Sequence, residues 1–126
     1  MTIKYNVMPR RNPRDTAAPS RYYPVVKSSG RTNQRGLAQK GVKMSTLSVA
    51  DMAAATEIFL DLIPEELMAG NIVDLGDFGS FRVIIKAEGS DTPEEVNATK
   101  IIKVNVRFTP GKAFKDAMHQ AVFEKL

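Results

Sequence analysis

The sequence predicts an α+β fold, with helices packed on a three-stranded antiparallel sheet and an extended β segment in front. Three observations predict it. Residues 48–69 carry apolar side chains at helical spacing between two recognisable caps. Residues 81–86 and 102–108 alternate apolar and polar side chains with a period of two, as half-buried strands do. Between the helix and those strands, Gly76-Asp77-Phe78-Gly79-Ser80-Phe81 sets two glycines around an aromatic, the composition of a sharp reversal.

Taken in order, the chain opens with Ile3, Tyr5 and Val7 alternating with Lys4, Asn6 and Met8, a strand that Pro9 is expected to end. A proline-rich connector follows, Arg10-Arg11-Asn12-Pro13-Arg14 and then Ala17-Ala18-Pro19-Ser20, with no helical pattern. Arg21 to Lys27 is a second extended segment. Pro24 cannot donate to a ladder, so this segment is an edge strand or is broken there. The two segments can pair across the connector, which makes residues 1–30 a basic extension and residues 31–126 the main domain.

Thr32 is placed to cap a first helix through about Met44, with Leu37, Ala38, Val42 and Met44 as a thin apolar stripe. Gly36 and Gly41 each weaken it by about 1 kcal/mol relative to alanine. The second helix is capped by Ser48, with Asp51 placed to reach back to the cap and Leu47 and Met52 placed to bracket it. Ala55, Phe59, Leu62 and Ile63 form its stripe. Pro64 predicts a kink or a split, and Gly70 a left-handed stop. Ile72 to Leu75 is the first strand of the sheet. In the second strand Phe81, Val83 and Ile85 share one face and Arg82, Ile84 and Lys86 the other. In the third, Ile102, Val104, Val106 and Phe108 share one face and Lys103, Asn105 and Arg107 the other. The last helix is expected to start at Pro110.

Charge is unevenly spread over the 126 residues. Residues 1–43 carry ten Lys/Arg and one acid, Asp15, whereas residues 44–126 carry eight Lys/Arg and thirteen acids. A basic leader on a mildly acidic body points to a polyanionic partner or to a solvated leader. There is no cysteine and one histidine, His119, so disulfides and thiolate metal sites are excluded and no metal or cofactor site is expected. No apolar run approaches the length of a membrane span, and the polar start predicts a cytoplasmic protein.

Two groups of residues carry candidate chemistry. With the apolar strand faces turned to the helices, Arg82, Lys86, Lys103 and Arg107 form a cationic strip on the far face. Such a strip can neutralise successive phosphates with little regard to sequence; outward strand lysines and arginines also serve solubility. The second group is the start of the last helix, where Lys112 and Lys115 stand one turn apart. Free amides near Gly111 and Lys112 favour an anion there. Lysine opposes the macrodipole, so helix stability does not explain Lys112, which leaves phosphate contact, with helix solvation as the alternative. Ser80 and Gly79 are further phosphate candidates, through a hydroxyl and an amide.

The glycine turn, the strand that follows it, and Gly111-Lys112-Ala113-Phe114-Lys115 after the last strand together resemble the HU/IHF family of bacterial DNA-binding proteins. The motifs there are G-F-G-[ST]-F and G-K-x-[LF]-K. The resemblance covers roughly residues 32–120 and is nearest to longer HU-like proteins with an N-terminal extension. It implies an intertwined homodimer with Phe59, Phe78, Phe81 and Phe108 in its core. It implies a DNA-contacting sheet face that includes Arg82 and Lys86, and phosphate contact by Lys112 and Lys115. The role of Arg107 is less well matched, since the family carries a small residue there. The function implied is non-catalytic, largely sequence-independent binding of double-stranded DNA in the nucleoid, with neither a membrane nor a small-molecule substrate as partner.

One region departs from the family. Its arms are long, rich in arginine and tipped by a proline that wedges between base pairs. Here Glu88 to Ala98 is short and holds four acids, Glu88, Asp91, Glu94 and Glu95. The expectation is a plain acidic loop in which Pro93 does not intercalate. Arg10, Arg11, Arg14 and Arg21 of the leader are then candidates for the phosphate contacts that such an arm does not make. The rival reading is a protein-interaction or structural module that keeps the fold without DNA bending. A single-strand binder would need exposed aromatics, for which Tyr22 and Tyr23 are the candidates.

Overall fold

The computed structural model describes residues 1–126. It divides into two units, Gln34–Asp116 and a second one made of Met1–Asn33 together with Ala117–Leu126.

The larger unit begins with helix α1 (Gln34–Val42) and helix α2 (Val49–Met68). Thr32 lies outside α1 and does not cap it, and the helix ends two residues before Met44. Turns donated by Met44 and Ser45 to the carbonyls of Gly41 and Val42 close it. Gly41 has a packing reason: a Cβ there would stand 3.1 Å from the Met52 methyl, so its absence lets α1 lie close against α2. Of the expected stripe, Ala38 is buried while Leu37 and Met44 are exposed.

At the start of α2, Ser48 Oγ accepts from the Asp51 amide at 3.1 Å, which satisfies one of the free donors of the first turn. The helix continues through Pro64 without a split. At its end Gly70 takes φ +88°, its amide donates to Leu67 O, and the Asn71 amide donates to Glu66 O. These two bonds form a Schellman stop, which the Asn71 amide side chain reinforces by donating to the Glu66 carboxylate at 2.9 Å.

Three strands follow, β3 (Val73–Asp74), β4 (Gly79–Ala87) and β5 (Ile101–Pro110), in the order β3-β4-β5 and antiparallel throughout. The first is shorter than the expected Ile72 to Leu75. A 3₁₀ turn, Gly76–Phe78, makes the reversal before β4. Helix α3 (Lys112–His119) starts two residues later than expected, because Pro110 is held in the sheet opposite Gly79. Gly111 carries the junction. Its amide donates to Phe78 O, its carbonyl accepts the Lys115 amide, and a side chain on it would strike the Asp77 carbonyl.

Phe78, Phe81 and Phe108 pack as a cluster around this junction, with Phe78 and Phe81 at 5.5 and 4.9 Å from Phe108. Phe114 of α3 joins them edge-on, 5.3 Å from Phe78 and 5.7 Å from Phe108. Edge-on pairs of this kind stabilise beyond their buried area. Phe59 stands apart, 59% exposed on α2.

Only Ala38 and Leu67 among the apolar side chains are buried, at 2% and 7% exposure. The apolar face of β4 and β5 is open: Val83, Ile85, Ile102, Val104 and Val106 are all exposed. Between that face and α2 runs a groove of about 500 Å³, lined by Ile63, Leu67, Phe81, Val83, Val104 and Val106.

The smaller unit is a second sheet. Strands β1 (Ile3–Arg10) and β2 (Arg21–Lys27) pair as an antiparallel hairpin from Lys4 opposite Lys27 to Arg10 opposite Arg21. Pro9 does not end β1. The third strand, β6 (Phe123–Lys125), pairs in parallel only with Ile3 to Tyr5, so Pro9 has an open side, where a missing donor costs little. Pro24 is likewise tolerated because β2 is the edge of the order β2-β1-β6. The hairpin tip is folded by two side-chain turns, Asn12 Oδ1 accepting from the Arg14 amide and Asp15 Oδ1 from the Ala17 amide. The sequence reading contains no strand after the last helix, so β6 is an addition.

Candidate nucleic-acid interface

The strand register fixes which cations share a face. Arg82 stands directly opposite Arg107, and Lys86 directly opposite Lys103, with Ile84 opposite Asn105 between them. At the end nearest α3, Ser80 faces Thr109. All four cations are exposed, as are Lys112 and Lys115. Like charges directly opposite on antiparallel strands destabilise the pair. Two such pairs on one face oppose sheet stability, and an anion laid over each would relieve it.

A concavity of about 430 Å³ sits at the α3 end of this face, lined among others by Ser80, Arg82, Thr109 and Gly111. It gathers two hydroxyls, one guanidinium and the approach to α3. Asp74 also lines it, and that carboxylate is engaged, accepting the Gly76 amide at 2.8 Å.

Two expected anion donors are already used. Gly79 is buried and its amide donates to Gly76 O, so it offers no accessible donor. Its contribution is geometric, since it brings β4 against β5 at Phe108 and Thr109. The Gly111 amide is bound to Phe78 O. Ser80, Arg82, Lys112 and Lys115 remain as the side chains at this end that could meet an anion. Sequence reasoning passed over Thr109 as a partner of Ser80 and Phe114 as the anchor of α3. The fourth position of Gly-Lys-x-Phe-Lys carried the signal for the second.

Beyond the face, β4 and β5 stop at Ala87 and Ile101, and residues 88–100 form a compact loop. It is closed by the Glu88 amide on Lys100 O, with Pro93 opening a 3₁₀ turn, Pro93–Glu95. Glu88, Asp91, Glu94 and Glu95 are all exposed on it.

Arg10, Arg11 and Arg14 belong to the other unit. Arg10 ends β1 opposite Arg21 and lies over the Tyr23 ring, 5.8 Å from its centre; Arg11 and Arg14 are in the hairpin tip. No helix is long and apolar enough to cross a membrane.

Several known proteins are similar to this chain. A family model described as "HU-HIG: HU domain fused to wHTH, Ig, or Glycine-rich motif" matches residues 1–125. DNA-binding protein HU-alpha of Escherichia coli and that of Salmonella typhimurium are each 40% identical over 74 residues, covering 57% of this chain and 82% of the relative. Among solved structures, a Bacteroides vulgatus protein proposed to be a bacterial DNA binding protein superposes with a TM-score of 0.67 at 14% identity. That likeness covers all of this chain, which spans about half (49%) of the solved one.

Proposed function

The chain belongs to the HU-HIG family, and from that premise we propose that it binds double-stranded DNA, largely without regard to sequence, as a non-catalytic homodimer in the bacterial nucleoid. The observation that carries the reading is the pair of like-charge cross-strand positions, Arg82 opposite Arg107 and Lys86 opposite Lys103. Regular cations on one sheet face, with Lys112 and Lys115 at one end, fit a phosphate backbone, and release of its counterions supplies the affinity. In this reading residues 31–126 are the DNA-binding domain and residues 1–30 a basic extension, with β6 returning to the extension's sheet.

The uncovered apolar surface supports the homodimer. A chain of 126 residues with two buried apolar side chains has too little core to stand alone. A second copy that fills the groove between α2 and the β4–β5 face would bury Val83, Val104 and Val106. The compact acidic loop supports DNA binding without a wedge at Pro93.

Binding to a short random-sequence duplex at two salt concentrations, beside the Lys112→Ala/Lys115→Ala variant, tests the reading. Affinity that falls steeply with salt and drops in the variant supports it. No affinity at low salt rejects it, and turns the reading toward a protein-interaction module on the same fold.

A further inference from the structure

The N-terminal sheet has two unlike faces. Ile3, Tyr5, Val7 and Pro9 share one with Phe123, Tyr22, Pro24 and Val26. On the other, Lys4 stands opposite Lys27, Asn6 opposite Val25, Met8 opposite Tyr23, and Arg10 opposite Arg21. The hairpin thus repeats, at both of its ends, the like-charge pairing seen on β4 and β5. This unit holds eight Lys/Arg against two acids, Asp15 and Glu124. Glu124 lies on the same face beside Lys4 and receives a hydrogen bond from Thr2 Oγ1 at 2.9 Å. Asp15 accepts the Ala17 amide in the tip turn. Like charges facing each other weaken the β1–β2 pairing. Fold stability therefore does not account for the two pairs.

Their spacing identifies what does. Six residues of strand separate the Lys4–Lys27 pair from the Arg10–Arg21 pair, about 20 Å. That is the rise of about six base pairs, too long for a small anion and suited to a continuous polyanion. At the tip, a concavity of about 690 Å³ is lined by Arg10, Arg11, Asn12, Pro13, Arg21 and Tyr23. The Tyr23 ring beneath Arg10 holds that guanidinium in place, which lowers the ordering cost of a phosphate contact.

We propose that this face, from Lys4 and Lys27 to Arg10 and Arg21 with Arg11 and Arg14 at the tip, is a second contact surface for duplex DNA. One chain then engages phosphate through two sheets rather than one. The inference rests on the DNA-binding reading above but not on the β4–β5 face, and either face can be removed alone.

The test uses the full chain and a random-sequence duplex of about thirty base pairs, long enough for both faces. Binding is followed over a salt series for the wild type, Lys4→Gln/Lys27→Gln, Arg10→Gln/Arg21→Gln, and Arg82→Gln/Arg107→Gln. Circular dichroism and sedimentation check the folded state of each. The charge-keeping set Lys4→Arg/Lys27→Arg/Arg10→Lys/Arg21→Lys is the control for packing. Each N-terminal double variant is expected to lower the slope of log affinity against log salt by about 1 to 2, and the control to keep it. An unchanged slope in both N-terminal variants, with a lowered slope in Arg82→Gln/Arg107→Gln, overturns the second surface and leaves DNA binding standing. Loss confined to single-stranded DNA also overturns it. No wild-type binding at low salt removes both readings together.

Discussion

A Cβ on Gly79 would stand 2.5 Å from the carbonyl oxygen of Thr109, and Gly79 itself takes φ +144°. Both the backbone angle and the space exclude a side chain. Gly79→Ala is expected to destabilise by on the order of 3 kcal/mol, read as a lower urea midpoint. Gly41→Ala makes the contrast. The obstacle there is the end of the flexible Met52 side chain, and the helix gains propensity, so it should stay within about 1 kcal/mol of wild type.

Arg82 and Arg107 separate affinity from stability. Arg82→Gln/Arg107→Gln should lower the salt slope of DNA binding by about 2 while leaving the melting temperature unchanged or raised, since a cross-strand repulsion is removed. A melting temperature that falls with the affinity would mean that the arginines hold the sheet together.

The open apolar face predicts oligomeric state. The wild type should sediment at twice its 13.9 kDa, with a melting temperature that rises with protein concentration. Val106→Glu, 58% exposed in the single chain, should cost little by the single-chain structure. If a second copy covers that face, the substitution buries a lone charge and should abolish the dimer. Retention of the wild-type mass in Val106→Glu would place the interface elsewhere.

The acidic loop should oppose binding. Glu94→Gln/Glu95→Gln is expected to tighten duplex affinity a few-fold at low salt, and the gain should vanish at high salt as the repulsion is screened. An equal effect at both salts would point to a direct contact instead.

Ser48→Ala tests the start of α2. Loss of the bond to the Asp51 amide should cost about 1 kcal/mol of unfolding free energy, with DNA affinity unchanged at temperatures well below melting.

Much of this was legible in the sequence because the signals are local. Ser48 and Gly70 bracket α2 through bonds within a few residues of each cap. The period-two alternation of 81–86 and 102–108 placed Arg82 and Arg107 on one face before any register was known. What was not legible depends on distant chain. Pro110 reads as a helix start until Gly79 is seen opposite it, and Pro9 reads as a strand end until its open side is known. The Gly79 amide is a local miss, since the carbonyl that takes it, Gly76 O, is only three residues away and composition does not announce the 3₁₀ turn. Phe59 and Leu62 read as core from their spacing, yet both are exposed in the single chain. A spacing rule finds the apolar side of a helix and not the molecule that covers it.

The pairing of β6 with β1 ties together residues such as Thr2 and Glu124, 122 positions apart. During synthesis the basic hairpin is made well before β6, and its β6 edge stays unpaired until Phe123–Lys125 follow. A hairpin alone is marginal, so its sheet is completed only after the strands β3 to β5 have been made. The Gln34–Asp116 unit can therefore be folded while the N-terminal sheet is still unfinished. A nascent chain halted before residue 123 would carry a body without a settled leader.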